Sequence, residues 1–437
     1  MIALNRALKT YLAVLTGLWA IALLILELSR HVLHQGYPFN TIFVRGIRFW
    51  DFTVYAPRFA VWGNGDLFFS LPGFPFDYPP PLLVSELAYY KISSNPLYAY
   101  FATVILFVVA GALLVAMAVP KRRRIRPLAI AAAVATAVFS YPLFFLLDRG
   151  NIEGLVWIAS SLGLLFFVRS RYLAAALFLA LATAMKIFPG VLLLLFVTKR
   201  RYREFCVSLA AVAVITYASL WLAGPTTLRA AQGIWEGMDH LRQDQVLEIK
   251  PQDVGFDHSA WSFAKQIFYR FDHSVEHVNA LLPKVYQIYA LLAVAAFAAL
   301  YCLHIRYLPV VNQILALSDL SVMLPFVSYN YTLVHMLAPF SFLVLILAVD
   351  TPTGRLRLSY RQMLFLLLPF AFIFTPQNYL ALSILDFDGQ VKFLALLALL
   401  VATLRIPVPS SLFNELPERK TILVRVGQRS LEAQECA

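Results

Sequence analysis

Apolar runs recur along the chain, broken by short polar or basic segments and by two long polar stretches. A membrane-spanning helix needs ~20 mainly apolar residues. Runs at 12–28, 96–120, 127–147, 152–168, 204–223, 285–303, 308–327, 331–349, 362–380 and 391–404 meet or approach that length. The first is read as a retained helix rather than a cleaved signal, because Ser29-Arg30-His31 offers no small-residue cleavage site.

Basic clusters orient these runs, since positive charge is kept on the cytoplasmic side. Lys121-Arg122-Arg123-Arg124-Ile125-Arg126 is the strongest such mark, followed by Arg169 and Arg171, Lys199–Arg203, and the trio Arg355, Arg357 and Arg361. Residues 172–197 have basic flanks on both sides. Both ends then belong inside, and the segment reads as a hairpin bent at Lys186-Ile187-Phe188-Pro189-Gly190, where proline cannot continue the helix it enters. Each arm is only ~20 Å long at 1.5 Å per residue, and one straight span is the rival. Hydropathy therefore predicts an all-α polytopic membrane protein with about 12 transmembrane helices. Its long outer loops are 29–95 and 224–283. Residues 1–404 form the membrane domain, residues 405–437 a cytoplasmic tail, and both termini lie inside. Within the first outer loop, 82–91 reads as a short interfacial helix or as the start of the next span. No fixed-period repeat or inverted pair of halves is visible.

Composition agrees: of 437 residues 60% are hydrophobic and 14% charged, and mean hydropathy is +0.72. A soluble domain cannot hide that much apolar surface. The net charge of +12 lies in short clusters between apolar runs, so it marks topology and not a nucleic-acid partner. Cys206, Cys302 and Cys436 are scattered, with no disulfide or zinc framework.

A few polar residues stand out against this background. Asp51 sits among large apolar side chains in Phe49-Trp50-Asp51-Phe52-Thr53-Val54-Tyr55, a setting that raises a carboxylate pKa and makes a candidate general base. The alternative is a cap or a salt bridge to Arg48 or Arg58. Phe76-Asp77-Tyr78-Pro79-Pro80-Pro81 follows as an extended segment. Asp148-Arg149-Gly150-Asn151-Ile152-Glu153 places three charges at one helix junction, where Asn151 suits a cap. Lys186 needs an anionic partner or a polar cavity, because a lysine deep in a helix costs roughly 2.5–3.5 kcal/mol on insertion scales; snorkelling is the alternative. Tyr331 and His335 are four apart on one helical face. Three Asp-His pairs, Asp239-His240, Asp257-His258 and Asp272-His273, suggest metal, but their spacing matches no compact site. Asp386-Phe387-Asp388 is a DxD string in a short outer turn.

Taken in order, Trp50–Tyr55, Tyr78-Pro79-Pro80, Asp148-Arg149-Gly150-Asn151 and Lys186-Ile187-Phe188-Pro189 resemble glycosyltransferase family 87. Asp257-His258-Ser259-Ala260-Trp261-Ser262, Ser328-Tyr329-Asn330-Tyr331 and Thr375-Pro376-Gln377-Asn378-Tyr379 extend the resemblance, which covers roughly Asp51 to Leu404. Two departures stand out. Tyr331 replaces the histidine of the family's usual Ser-Trp-x-His, with His335 one turn later, and His258 stands where Asn-Gln-Ser is common.

The resemblance implies a GT-C-like membrane transferase that moves a hexose, mannose in the characterised members, from a polyprenyl-phosphate sugar to a lipid- or glycan-linked acceptor at the outer face, with inversion. Asp51 aligns with the family's catalytic aspartate. Lys186, Arg149, Arg58 and His335 become candidates for the donor phosphate, and Tyr55, Tyr78, Asn151 and Tyr331 for binding substrate. No cofactor, metal or nucleotide sugar is required. The expected partners are the lipid-linked donor, the acceptor and membrane lipids. A polytopic transporter or flippase is the alternative; it predicts charges around a midplane cavity, whereas convergence of Asp51, Arg149 and Lys186 at one end favours the transferase.

Overall fold

The computed structural model describes residues 2–32, 34, 48–60, 76, 78–118, 127–250, 255–348, 358–377 and 387–408. Among them the named elements are all helical, and one isolated antiparallel bridge joins Asp257 to Tyr329. The basic run 121–126, Arg355, Arg357, Asp77, Asp386, Asn378, Tyr379 and the tail from 409 lie outside the described residues.

Among the described residues five helices are long and apolar enough to cross a membrane: Ala3–Glu27, Pro127–Arg149, Tyr202–Ala223, Val275–Tyr307 and Asn330–Ala348. Pro80–Ile92 and Pro96–Gly111 make a sixth if counted as one span bent by 113°. That bend makes the 80–92 segment a helix separate from the one after it. Five further apolar helices are shorter: Glu153–Val168, Tyr172–Met185, Phe188–Thr198, Val310–Met323 and Tyr360–Ile373. They occupy positions where hydropathy places spans. Their location explains their length. All 14 residues of Val310–Met323 are buried, so this helix packs inside the bundle, and among the long helices most of Leu337–Ala348 is buried as well. The lipid-facing role falls to helices that leave large apolar side chains exposed, such as Trp221, Leu291 and Val294.

One expectation needs adjusting and one is met. The second polar stretch holds two amphipathic helices, Thr227–Leu241 and Ala260–Asp272, and it ends earlier than expected. The following helix begins at Val275 and runs 29 residues through Pro283. The 172–197 segment does break at Lys186. The Tyr172–Met185 helix stops there, Lys186 is extended (φ −148°, ψ 137°), and a 3-10 turn over Phe188–Leu193 follows.

Candidate functional site

Gly150 is the pivot of the site. It ends the Tyr141–Arg149 helix in the left-handed region, at φ 65°. A Cβ there would lie 3.0 Å from Phe52 Cβ and 3.3 Å from Phe49 Cα, so any other residue strains this turn. Arg149 and Asn151 emerge on its two sides. Asn151 Oδ1 accepts from the backbone N–H of Glu153 at 2.9 Å, which is the expected cap. Its Nδ2 donates to Asp51 Oδ2 at 2.7 Å and to the Tyr78 hydroxyl at 3.2 Å. One buried amide thus both starts a helix and holds the carboxylate.

The loop carrying Asp51 is fixed from behind. Phe49 N–H donates to Asp148 O at 2.7 Å. The buried Phe52 ring stacks on Tyr90 and Tyr100, with centroids 5.7 and 5.4 Å away, and Tyr90 Oη donates to Phe52 O. Asp51 therefore faces Arg149, whose Nε lies 3.7 Å from Asp51 Oδ1. That is an ion pair without a hydrogen bond, and Arg149 Nε has no hydrogen-bond partner among the described residues. Arg48 pairs with Asp148 instead, at 3.6 Å, so of the two salt-bridge partners weighed for Asp51, Arg48 is engaged elsewhere. Burial pushes the Asp51 pKa up, and Arg149, the Asn151 hydrogen bond and Lys186 oppose that rise.

Lys186 finds the anion it needs in Glu153, a fully buried carboxylate whose Oε2 lies 2.5 Å from Lys186 Nζ. The ammonium also lies 5.4, 5.7 and 5.9 Å from the ring centroids of Tyr78, Tyr331 and Phe188, so aromatic faces share its charge. His335 reaches the same carboxylate: Nε2 is 2.7 Å from Glu153 Oε1, and Nδ1 is 3.0 Å from Ser160 Oγ. Both its ring nitrogens are engaged within the protein. Tyr331 stacks on Phe145, at 6.1 Å. Asp51, Arg149, Asn151, Tyr78, Lys186, Tyr331 and His335 thereby form one connected cluster, with Glu153 at its centre. Tyr55 borders it through Tyr78, at 5.9 Å, and through Phe76, at 4.5 Å. Arg58 is buried on the helix Ala56–Ala60, where burial lowers its pKa and Tyr55 opposes the shift.

Glu153 is the residue whose role the sequence left unassigned. Its signal was there: an acid in the first turn of an apolar helix, with an isolated lysine elsewhere in need of a partner. The other motifs resolve differently. Asp257 Oδ1 accepts N–H bonds from Ser259 and Ser328, at 2.8 and 2.9 Å; burial raises its pKa to about 6, with Lys265 and these donors opposing. His258 contacts Ser328 Oγ at 3.1 Å. This pair is a latch between two segments. Asp239 pairs with Arg242 and Asp272 with His277. No cluster of three or more His, Cys, Asp or Glu side chains suited to a metal occurs among the described residues. Asp388 is paired internally with Lys392.

A sequence profile described as glycosyltransferase family 87 matches residues 76–328, more than half of the chain. The chain belongs to glycosyltransferase family 87. No curated protein and no solved structure matches it. The matched segment contains Tyr78, Arg149, Asn151, Glu153 and Lys186. Asp51 lies before it, Tyr331 and His335 after it, and hydrogen bonds and ion pairs join them to family residues. A family 87 enzyme is a glycosyltransferase, so the cluster must be weighed as a place where a sugar donor meets an acceptor.

Proposed function

We propose that this family 87 glycosyltransferase moves a hexose, mannose by family resemblance, from a polyprenyl-phosphate donor to a lipid- or glycan-linked acceptor, at the outer face of a membrane in which both termini are cytoplasmic. The observation that carries the reading is the convergence of one carboxylate, Asp51, with two cations, Arg149 and Lys186, at the termini of the helices Tyr141–Arg149 and Tyr172–Met185. Asp51 takes the proton of the acceptor hydroxyl. The freed oxygen attacks the anomeric carbon, the bond from that carbon to the phosphate oxygen breaks, and its electron pair leaves with the polyprenyl phosphate. Attack from the opposite face inverts the centre. Arg149 has donor capacity to spare, and Lys186 retains donors beyond its contact with Glu153, so both stabilise the departing phosphate. His335 acts through Glu153, holding that carboxylate on Lys186.

An apolar groove supports a lipid-linked donor. It has a volume of about 340 Å³ and is lined by Phe107, Ala133, Ala137, Trp157, Leu162 and Ala338, among others. Trp157 lies one turn beyond Glu153 on the same helix, and Ala338 three residues beyond His335, so two segments that carry cluster residues also line the groove. In this reading the prenyl tail lies in the groove and its phosphate meets Lys186 and Arg149. The testing experiment is transfer of radiolabelled sugar from polyprenyl-phosphate mannose into membrane extracts. Wild-type enzyme should label an acceptor and Asp51→Asn should lose ~10²-fold or more, the scale of general-base catalysis. Equal labelling by both would refute Asp51 as base, and no labelling by wild type from any polyprenyl-phosphate hexose would refute the donor class.

A further inference from the structure

A second charged cluster lies behind the site, and the reaction as described does not use it. Asp388 and Lys392 are one helical turn apart on the helix Asp388–Arg405, and both side chains are fully buried. Lys392 Nζ donates to Asp388 Oδ2 at 2.6 Å and to Asn330 Oδ1 at 2.9 Å, and lies 4.3 Å from the Tyr141 ring centroid. Asn330 Nδ2 donates to Asp388 Oδ2 at 2.5 Å, and the backbone N–H of Gln377 donates to Asp388 Oδ1 at 2.6 Å. Both ends of the Asn330 amide are therefore held by the ion pair.

Asn330 opens the 3-10 turn Asn330–Met336, which carries Tyr331 and His335. The same turn is held at its start by Asp257, through Ser328 N–H, and by Tyr329 Oη, which donates to Gln245 Oε1 at 2.6 Å. The loop of Asp257 is in turn pressed against the Asp388 helix. Gly389 N–H donates to Gly255 O at 2.6 Å, and a Cβ on Gly389 would lie 2.4 Å from Asp257 O. Such close contact fixes the register between helix and turn.

Stability alone is a poor reason to keep this pair. Replacing a buried ion pair by apolar residues of similar size is often neutral or stabilising, whereas removing one partner is strongly destabilising. We propose that Asp388 and Lys392 are positioning residues: through Asn330 they set the turn that aims Tyr331 and, by way of His335 and Glu153, Lys186. The catalytic consequence rests on the transferase reading above; the tether itself does not.

The test compares wild type with Lys392→Met, the double variant Asp388→Asn/Lys392→Met, and Asn330→Ala, each as full-length enzyme in detergent or nanodiscs. Lys392→Met strands a buried carboxylate and is expected to lower stability. The double variant removes both charges and should regain most of it. Positioning predicts that at matched stability the double variant still loses at least about 10-fold in kcat, towards the ~10²-fold cost of a misplaced group, with donor KM within about two-fold. Asn330→Ala, which keeps the ion pair, should show the same split. Amide hydrogen exchange over residues 328–336 gives a readout that needs no substrate: it should speed up in the double variant and in Asn330→Ala. If kcat recovers together with stability, or if exchange in 328–336 stays at the wild-type rate in both variants, the tether is overturned. If wild type transfers no sugar while exchange speeds up as expected, the tether stands and the donor reading fails.

Discussion

The two charged clusters use the same residue types to opposite ends. Asp51 and Arg149 sit 3.7 Å apart with 14% and 26% of their side chains exposed, and Arg149 Nε makes no hydrogen bond among the described residues. Asp388 and Lys392 sit 2.6 Å apart with no exposure at all, and their polar atoms are tied to Asn330 and Gln377. A loose, half-open pair has capacity left for a substrate, and a closed one has spent it on the protein. Glu153 and Lys186 lie between these extremes: the carboxylate is fully buried, yet the lysine keeps 16% exposure beside three aromatic rings. The gradient runs from scaffold to chemistry, and it predicts which substitutions damage folding and which damage turnover.

The largest effects should separate the two clusters cleanly. Lys392→Met is expected to destabilise by about 3–5 kcal/mol, the cost of stranding a buried charge, measured as a loss of thermal stability in detergent. Asp51→Asn is expected to leave that stability near wild type, because the amide keeps the shape and the site is partly open. If both variants lost stability equally, the distinction between the clusters would collapse.

Gly150→Ala comes next. Its left-handed φ and the 3.0 Å approach of Phe52 mean that any side chain strains the turn between Arg149 and Asn151. The strain should be about 1–3 kcal/mol, seen as reduced thermal stability, together with weakened transfer as Asn151 shifts from Asp51. Wild-type turnover in this variant would show that the turn geometry does not set the site.

A mixed effect is expected at Lys186, because Lys186→Met takes the lysine from the buried Glu153 carboxylate, leaving His335 beside it. Some thermal stability should be lost, and turnover is compared at equal amounts of folded protein. Lys186→Met keeps an unbranched stem and removes the charge, so transfer should fall about 10-fold or more, with kcat affected more than donor KM if the contact strengthens as the phosphate departs. Lys186→Arg should retain more activity than Met, because the charge survives although its geometry changes. Turnover of the Met variant at the wild-type rate would make the lysine a partner for Glu153 and nothing else.

Much of this was legible in the sequence, and the limits have physical causes. Apolar runs announced an all-helical membrane protein, and Pro189 announced the break at Lys186, because both depend on local pattern. Hydropathy could not separate helices long enough to cross a membrane from short ones buried inside the bundle, such as Val310–Met323, since both are apolar. The start of the long helix at Val275 was missed because its first turns are polar and Pro283 suggested a boundary. Asp51, Arg149 and Lys186 were singled out because each is anomalous against an apolar background. Glu153 was hidden by its neighbours: next to Asp148, Arg149 and a plausible cap at Asn151, it read as part of a surface junction. Asp388 was obscured by the DxD string, although its spacing of four to Lys392 is itself a signal of pairing on one helix face.

In the proposed reaction Asp51, its pKa raised by burial and restrained by Arg149 and Asn151, accepts the acceptor's proton. The most direct measurement is the pH dependence of kcat/KM for sugar transfer, wild type against Asp51→Asn. A base must be ionised, so the wild-type rate should fall as pH drops through the Asp51 pKa, and that acid limb should lie above the ~3.9 of an unperturbed aspartate. The residual rate of Asp51→Asn should lack the limb. A wild-type limb at or below the ordinary aspartate value, or the same limb surviving in Asp51→Asn, would contradict the assignment.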